Sequence, residues 1–151
     1  LLTKGIATYL DAAEKWKKKS VGFENIEFCV AGKFDKYNPD CVDGSLISRS
    51  QEKGFIHFLG DVTDMASLLK TVDILVLPTL YGEGLPKVMS EAAACGVVCL
   101  ASPIPGCAEA IEEFKTGYFI DPNSADDIVT HFISSRSKFR DRIKYIRGFG
   151  D

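Results

Sequence analysis

Nowhere in the 151 residues does an apolar run approach the roughly 20 needed to cross a bilayer, so the sequence holds no membrane span. Basic charge is not in excess either. Eighteen Lys and Arg stand against 21 Asp and Glu, a formal net charge of −3 that offers no broad positive field to phosphate backbones and disfavours nucleic-acid binding. No secretory signal is visible. Histidine occurs twice, and the five cysteines (Cys29, Cys41, Cys95, Cys99, Cys107) lack the paired short spacings of zinc or dithiol sites. A reducing cytosol is the simplest setting for them. Cys29 and Cys99 fall inside apolar runs and read as small buried hydrophobes, whereas Cys107, in a Pro-Gly-Cys turn, reads as the more exposed.

What is present, 46% hydrophobic and 26% charged residues, suffices for one buried core and one globular domain. Leu1 and Leu2 run straight into Lys4-Gly5-Ile6, so a fragment beginning partway through an element is expected.

Ile6, Tyr9, Leu10, Ala13 and Trp16 recur at helical spacing opposite Asp11, Glu14 and lysines 15 and 17 to 19, predicting an amphipathic helix. After Gly22, residues 26–32 form a β-rich run ending in Gly, and 33–43 an irregular excursion. Strands are expected over 55–60, 73–78, 97–102 and 117–121. Helices are expected over 64–70, capped by Thr63 or Asp64, over 86–95, closed by Gly96, and over 107–113 and 125–134. Apolar strands without polar alternation, taking turns with helices, indicate a parallel sheet covered on both faces, the doubly wound α/β fold. Ligands then gather at the carboxyl ends of the strands. From Ser135 to Asp151 the rhythm is lost in a basic stretch.

Between the third strand and its helix the chain reads Thr79-Leu80-Tyr81-Gly82-Glu83-Gly84-Leu85-Pro86-Lys87-Val88-Met89-Ser90-Glu91. Gly82 and Gly84 let the backbone approach a ligand, and Pro86 fits the first helical position, where a missing N–H costs nothing. Free amides around Gly84 and Leu85 then open a helix N-terminus toward the sheet edge, an anion site suited to a diphosphate. Glu83 precedes this corner and Glu91 lies about one and a half turns into the helix, at ~3.6 residues per turn. Two carboxylates flanking an anion site suit the vicinal hydroxyls of a sugar and a ribose.

This segment resembles the signature of the retaining GT-B glycosyltransferases, glycosyltransferase family four (group 1). Lys4-Gly5-Ile6, Val30-Ala31-Gly32, Phe58-Leu59-Gly60 and the run from Ala101 to Glu109 resemble further motifs of that family in the same order. The resemblance runs from Lys4 to about Ile128. It implies a Rossmann-like, nucleotide-sugar-binding C-terminal half of a GT-B enzyme over residues 1–134, with its first strand missing, followed by a basic tail or inter-domain helix over 135–151. It further implies that Glu83 contacts hydroxyls of the donor sugar and Glu91 those of the ribose. Gly84 and Leu85 offer amides to the phosphates, Lys4 neutralises the leaving diphosphate, and backbone from Gly60 to Val62 borders the base. Lys4 and Glu83 are the catalytic candidates. No cofactor and no metal are implied, the donor being a substrate, most simply a UDP-sugar. The implied acceptor is a polysaccharide or polyprenyl-linked sugar, held by an N-terminal domain outside this chain, and the implied place is the cytoplasm, with peripheral contact to the inner face of the membrane. Two departures stand out. The family's Arg ahead of this Lys is absent, and Val97 replaces the usual Pro.

Plainer readings stand beside these. Glu91 at i,i+4 from Lys87 suits an exposed ion pair. Lys4 is equally a surface lysine, lysines 17 to 19 a solvated face, and His57 and His131 ordinary histidines. A non-catalytic nucleotide-sugar-binding module, a sugar-nucleotide epimerase of related fold, and a glycosidase using Glu83 and Glu91 are the competing functions.

Overall fold

A computed structural model of the chain describes residues 4–19, 26–34, 37–82 and 84–133. The expected tail over 135–151 and Glu83 therefore lie outside the described residues.

Helix α1 (Ile6–Lys19) buries Leu10, Ala12, Ala13 and Trp16 and leaves Lys17, Lys18 and Lys19 exposed in its last turn. Strand β1 (Cys29–Ala31) follows, then helix α2 (Gly44–Glu52), strand β2 (His57–Gly60), helix α3 (Met65–Leu69) and strand β3 (Ile74–Leu77). Helix α4 (Lys87–Ala94), strand β4 (Val98–Ala101), helix α5 (Pro105–Ala108) and strand β5 (Gly117–Phe119) continue the alternation. A last helix, α6, spans 125–133.

Every strand pair is parallel. The strands form two sheets rather than one: β1 with β2, and β3-β4-β5. Apolar residues fill both faces. Leu10, Trp16, Phe28, Val30, Leu100, Ile128 and Phe132 belong to one cluster, and Leu69, Met89, Ala92, Cys99, Cys107 and Ile111 to the other. The doubly wound α/β layering expected from the apolar runs is thus present, with one break in it.

Differences from the sequence reading have local causes. Helix α2 has no apolar stripe, since Ile47 is its only buried residue and serines 45, 48 and 50 fill it, yet Asp43 caps it by accepting from the Ser45 N–H at 2.9 Å. The helix expected over 107–113 is the shorter α5, started by Pro105, with Ile104 as its N-cap. Pro86 likewise is the N-cap of α4, in extended conformation, rather than its first helical residue.

The cysteines differ too. Cys107 is fully buried inside α5, and Cys29 is exposed because the alternation of β1 turns Val30, not Cys29, to the core. Burial, with Cys107 nearby, pushes the Cys99 thiol up to about 11. A thiol reagent at neutral pH is therefore expected to label Cys29, Cys41 and Cys95 in the native protein and Cys99 and Cys107 only on unfolding. Rapid native labelling of Cys107, located by peptide mapping, contradicts this packing.

Helix α3 repeats the capping device. Asp64 accepts from the Ser67 N–H at 3.0 Å, and the Ser67 and Ser45 hydroxyls each donate to their capping aspartate at 2.6 Å. The serine hydrogen bonds hold both carboxyls below the usual 3.8. Their folded values being depressed, the contribution is present above 3.8 and lost as pH falls through the lower folded values. Asn at both positions keeps the acceptor without the titration. Urea midpoints of the Asp43→Asn/Asp64→Asn variant should therefore fall less than wild type between about pH 5 and about pH 2; equal falls mean that the caps do not contribute.

Candidate functional site

The carboxyl ends of the parallel strands share one edge, and the chain turns there in short loops. After β1 and β2, the N–H of Gly32 donates to the carbonyl of Gly60 at 2.8 Å, with Gly60 at φ +69°. After β3 comes Pro78, against which the start of α1 is packed. A Cβ placed on Gly5 falls 1.9 Å from the Pro78 carbonyl oxygen, and Gly5 has φ +68°. The contact is too close for any other residue, so Gly5 fixes the N-terminus of α1, and with it Lys4, at the end of β3.

The loop after β3 runs from Thr79 through exposed Tyr81, Gly82, Gly84 and Leu85 into α4. Leu85 keeps 49% of its surface at the entry to the helix. Pro86, the N-cap of α4, offers no side-chain hydrogen bond, and no other described side chain caps the helix. Its first amides and the positive end of its dipole consequently face out at the edge, as an anion site requires. Lys4, Pro78, Pro86 and Lys87 line one cavity of about 1160 Å³ that extends from this edge between the two sheets.

Glu91 lies in the second turn of α4. Its carboxylate is 32% exposed and pairs with Lys87 Nζ at 3.5 Å, the i,i+4 pair anticipated from spacing. Lys87 is 90% exposed, so this pair contributes little to stability and leaves Glu91 open to exchange partners. Lys4, Gly60, Gly84 and Leu85 lie on or beside the ends of the strands, and Glu91 stands one turn further along the helix that starts there. Glu83 falls outside the described residues. His57 is exposed on β2, and His131 bonds the Asp127 carbonyl through Nδ1 at 2.9 Å and lies tilted against the Tyr118 ring.

Two polar residues at the edge escaped the sequence reading. Thr79, 2% exposed just past β3, donates its hydroxyl to the Tyr81 carbonyl at 3.3 Å and holds the loop's first turn. Ser102, just past β4, is fully buried, and its hydroxyl has no hydrogen-bond partner among the described residues. Each directly follows an apolar strand, and that placement is the signal that marks them, because ligands of doubly wound sheets gather there.

Comparison with known proteins bears on the family and the fold. Residues 1–145 match the family model described as "Glycosyl transferases group 1". The chain is 33% identical over 125 residues to N,N'-diacetylbacillosaminyl-diphospho-undecaprenol alpha-1,3-N-acetylgalactosaminyltransferase of Campylobacter jejuni, covering 83% of this chain and 30% of that protein. It is 32% identical over 75 residues to UDP-Gal:alpha-D-GlcNAc-diphosphoundecaprenol alpha-1,3-galactosyltransferase of Escherichia coli, covering 50% and 19%. The chain thus spans less than a third of either relative. Among solved structures, Anabaena HepE in complex with UDP superposes with a TM-score of 0.76 at 20% identity, over 99% of this chain and 41% of that one. At that identity the likeness speaks for the fold.

Proposed function

The chain belongs to the group 1 glycosyl transferases, and from that membership we propose that it is the donor-binding half of a retaining, GT-B glycosyltransferase that moves a sugar from a nucleoside diphosphate to a polysaccharide or lipid-linked acceptor. The observation that carries this reading is the start of α4, uncapped by any described side chain, with exposed Gly84 and Leu85 ahead of it, opening at the edge where Gly5 pins Lys4.

In this reading the diphosphate takes hydrogen bonds from the amides of Gly84 and Leu85 and from the first turn of α4, with Lys4 beside its charge. Glu91 gives up Lys87 and accepts the ribose hydroxyls, while Glu83 accepts hydroxyls of the donor sugar. Backbone from Gly60 to Val62 borders the base. An acceptor hydroxyl oxygen bonds to the anomeric carbon as the bond from that carbon to the phosphate oxygen breaks, and the diphosphate leaves with the electron pair and takes up the hydroxyl proton. Catalysis then rests on donors already in place where that negative charge develops. The fixed cationic groups of the site, Lys4 and the helix end, supply the charge stabilisation without a resident cofactor.

UDP is the favoured nucleotide, since the Anabaena HepE structure of the same fold holds UDP and the E. coli relative is named for UDP-Gal. The C. jejuni and E. coli relatives are named for diphosphoundecaprenol-linked sugars, which supports a polyprenyl-linked acceptor held by a separate domain at the cytoplasmic face of a membrane. None of the described helices is long and apolar enough to cross that membrane. The exposed lysines 17 to 19 closing α1 are then available to anionic headgroups.

A panel of UDP-, GDP- and ADP-sugars examined by ligand-observed NMR tests the reading. Binding that requires the nucleotide and is competed by free nucleoside diphosphate is expected. Binding of free sugars or oligosaccharides without nucleotide points to a glycosidase and overturns it, as does the absence of any binding.

A further inference from the structure

Exposed apolar side chains are gathered at one end of the molecule. Of the eight large hydrophobic residues left exposed among the described residues, Phe34, Tyr37, Leu59, Leu80, Tyr81 and Leu85 follow β1, close β2 or follow β3, and only Phe114 and Ile133 lie elsewhere. Single exposed hydrophobes are ordinary on a protein surface, but six at the carboxyl ends of three strands are not scatter, and such gatherings mark binding surfaces. Within the group Tyr81 is set apart by its anchoring. Its side chain is 67% exposed on the loop from β3 to α4, while its backbone is held to the sheet by Thr79, 2% exposed, whose hydroxyl donates to the Tyr81 carbonyl at 3.3 Å. A ligand that covers this ring does not first have to order the chain that carries it.

What such a ring takes follows from the chemistry beside it. Gly84 and Leu85, whose amides hold the diphosphate in the donor-binding reading, are on the same loop, and Gly84 is three residues on from Tyr81, at most about 11 Å of chain. A sugar joined to that diphosphate therefore comes within range of the Tyr81 side chain. A hexopyranose has two kinds of surface, hydroxyls around its rim and C–H bonds on its faces. Carboxylates accept from the first. The electron-rich face of an aromatic ring takes the second, because the hydrogens are the positive ends of the C–H bonds and the contact removes apolar area from water. Amides, lysine and glutamates alone hold only the polar part of a sugar donor.

We propose that Tyr81 is a specificity-determining residue of the donor site: its ring packs on the C–H face of the donor's sugar and selects a neutral hexopyranose over a hexuronate. The proposal rests on the donor-binding reading. The selection follows from charge. Leu80, Tyr81 and Leu85 offer no cation to a sugar carboxylate, Glu83 in the same stretch of sequence repels one, and Lys87 is already paired with Glu91 at 3.5 Å. A hexuronate laid on the ring loses water from its carboxylate without gaining a partner. A neutral hexose, or its N-acetyl derivative, carries no such cost.

Calorimetric titration of the chain and of its Tyr81→Phe and Tyr81→Ala variants with UDP, UDP-glucose, UDP-galactose and UDP-glucuronate tests the proposal. Tyr81→Ala is expected to weaken the better bound of the two UDP-hexoses roughly 3- to 10-fold, the loss of one aromatic contact, and to leave UDP within about twofold. Tyr81→Phe keeps the ring face and should bind all four ligands as the wild type does. UDP-glucuronate is expected to bind more weakly than either UDP-hexose and to be indifferent to Tyr81→Ala. Equal losses of UDP and UDP-hexose assign Tyr81 to the shape of the loop, unchanged hexose binding removes it from the site, and UDP-glucuronate bound as tightly as the hexoses removes the selection. Each of these overturns the proposal and leaves the donor-binding reading in place. Failure of the wild type to bind any of the four contradicts that reading and takes the proposal with it.

Discussion

Replacing Gly5 by alanine is expected to remove about 3 to 4 kcal/mol of stability, at the severe end of single substitutions. Part of the loss is conformational, since an L-residue at φ +68° costs about 1 to 2 kcal/mol. The remainder is steric. The new Cβ falls 1.9 Å from the Pro78 oxygen, a backbone atom with no rotamer through which to move away, so α1 must lift from the end of β3. Gly54 is the internal control: its φ is +70° but nothing lies within 4 Å of an added Cβ, so Gly54→Ala should cost only the conformational part, about 1 to 2 kcal/mol. Urea unfolding of the two variants reads the difference directly. Equal losses mean that α1 is not pinned to β3, and the placement of Lys4 loses its support. Because Gly5 joins Lys4 to the start of α1, nucleotide affinity should fall together with stability at Gly5 and stay unchanged at Gly54.

The opposite pattern, affinity lost with stability kept, is expected at Glu91. Its recorded partner is Lys87, an exposed pair 3.5 Å apart whose removal alters stability by no more than about 0.5 kcal/mol. A carboxylate accepting ribose hydroxyls contributes about 1.5 to 3 kcal/mol. Glu91→Ala should therefore weaken UDP-sugar binding by roughly 10- to 100-fold, with an unfolding midpoint close to wild type. Lys87→Ala breaks the same ion pair and should leave affinity within a few-fold. Calorimetric titration of the three proteins separates these outcomes. Parallel losses in both variants assign Glu91 to the surface ion pair.

Much of this architecture is readable from residues. Continuous apolar runs mark buried parallel strands because no solvent-facing side demands polar alternation, and β3 and β4 lie inside the spans that Asp73-Ile-Leu-Val-Leu-Pro78 and Val97-Val-Cys-Leu-Ala-Ser102 suggest. Gly96, at φ +69°, closes α4 as its position implies. The corner from Gly82 to Glu91 is readable for a different reason: glycines, a helix-start proline and acidic residues each have a separate physical role there.

What stayed hidden depends on phase and on partners distant in sequence. In β1 the choice between burying Cys29 or Val30 turns on the sheet face, which a run of apolar residues does not specify. α2 forms because Asp43 caps it and Ile47 finds the core, with no stripe to announce it. The break between β1 and β3 is a property of strand order, and no local pattern encodes strand order. Thr79 reads as a loop residue and Ser102 as the last residue of a strand, and only the parallel register of β3 and β4 brings both to the same sheet edge.

The central claim is that a diphosphate sits at the start of α4, and its most direct test is a titration of the isotopically labelled chain with UDP, followed at the backbone amides. Gly84, Leu85, Lys87 and Val88 are expected to shift together and saturably, and uridine, which lacks the diphosphate, to leave them in place. UDP-induced shifts confined to another part of the chain, or equal shifts with uridine, contradict it.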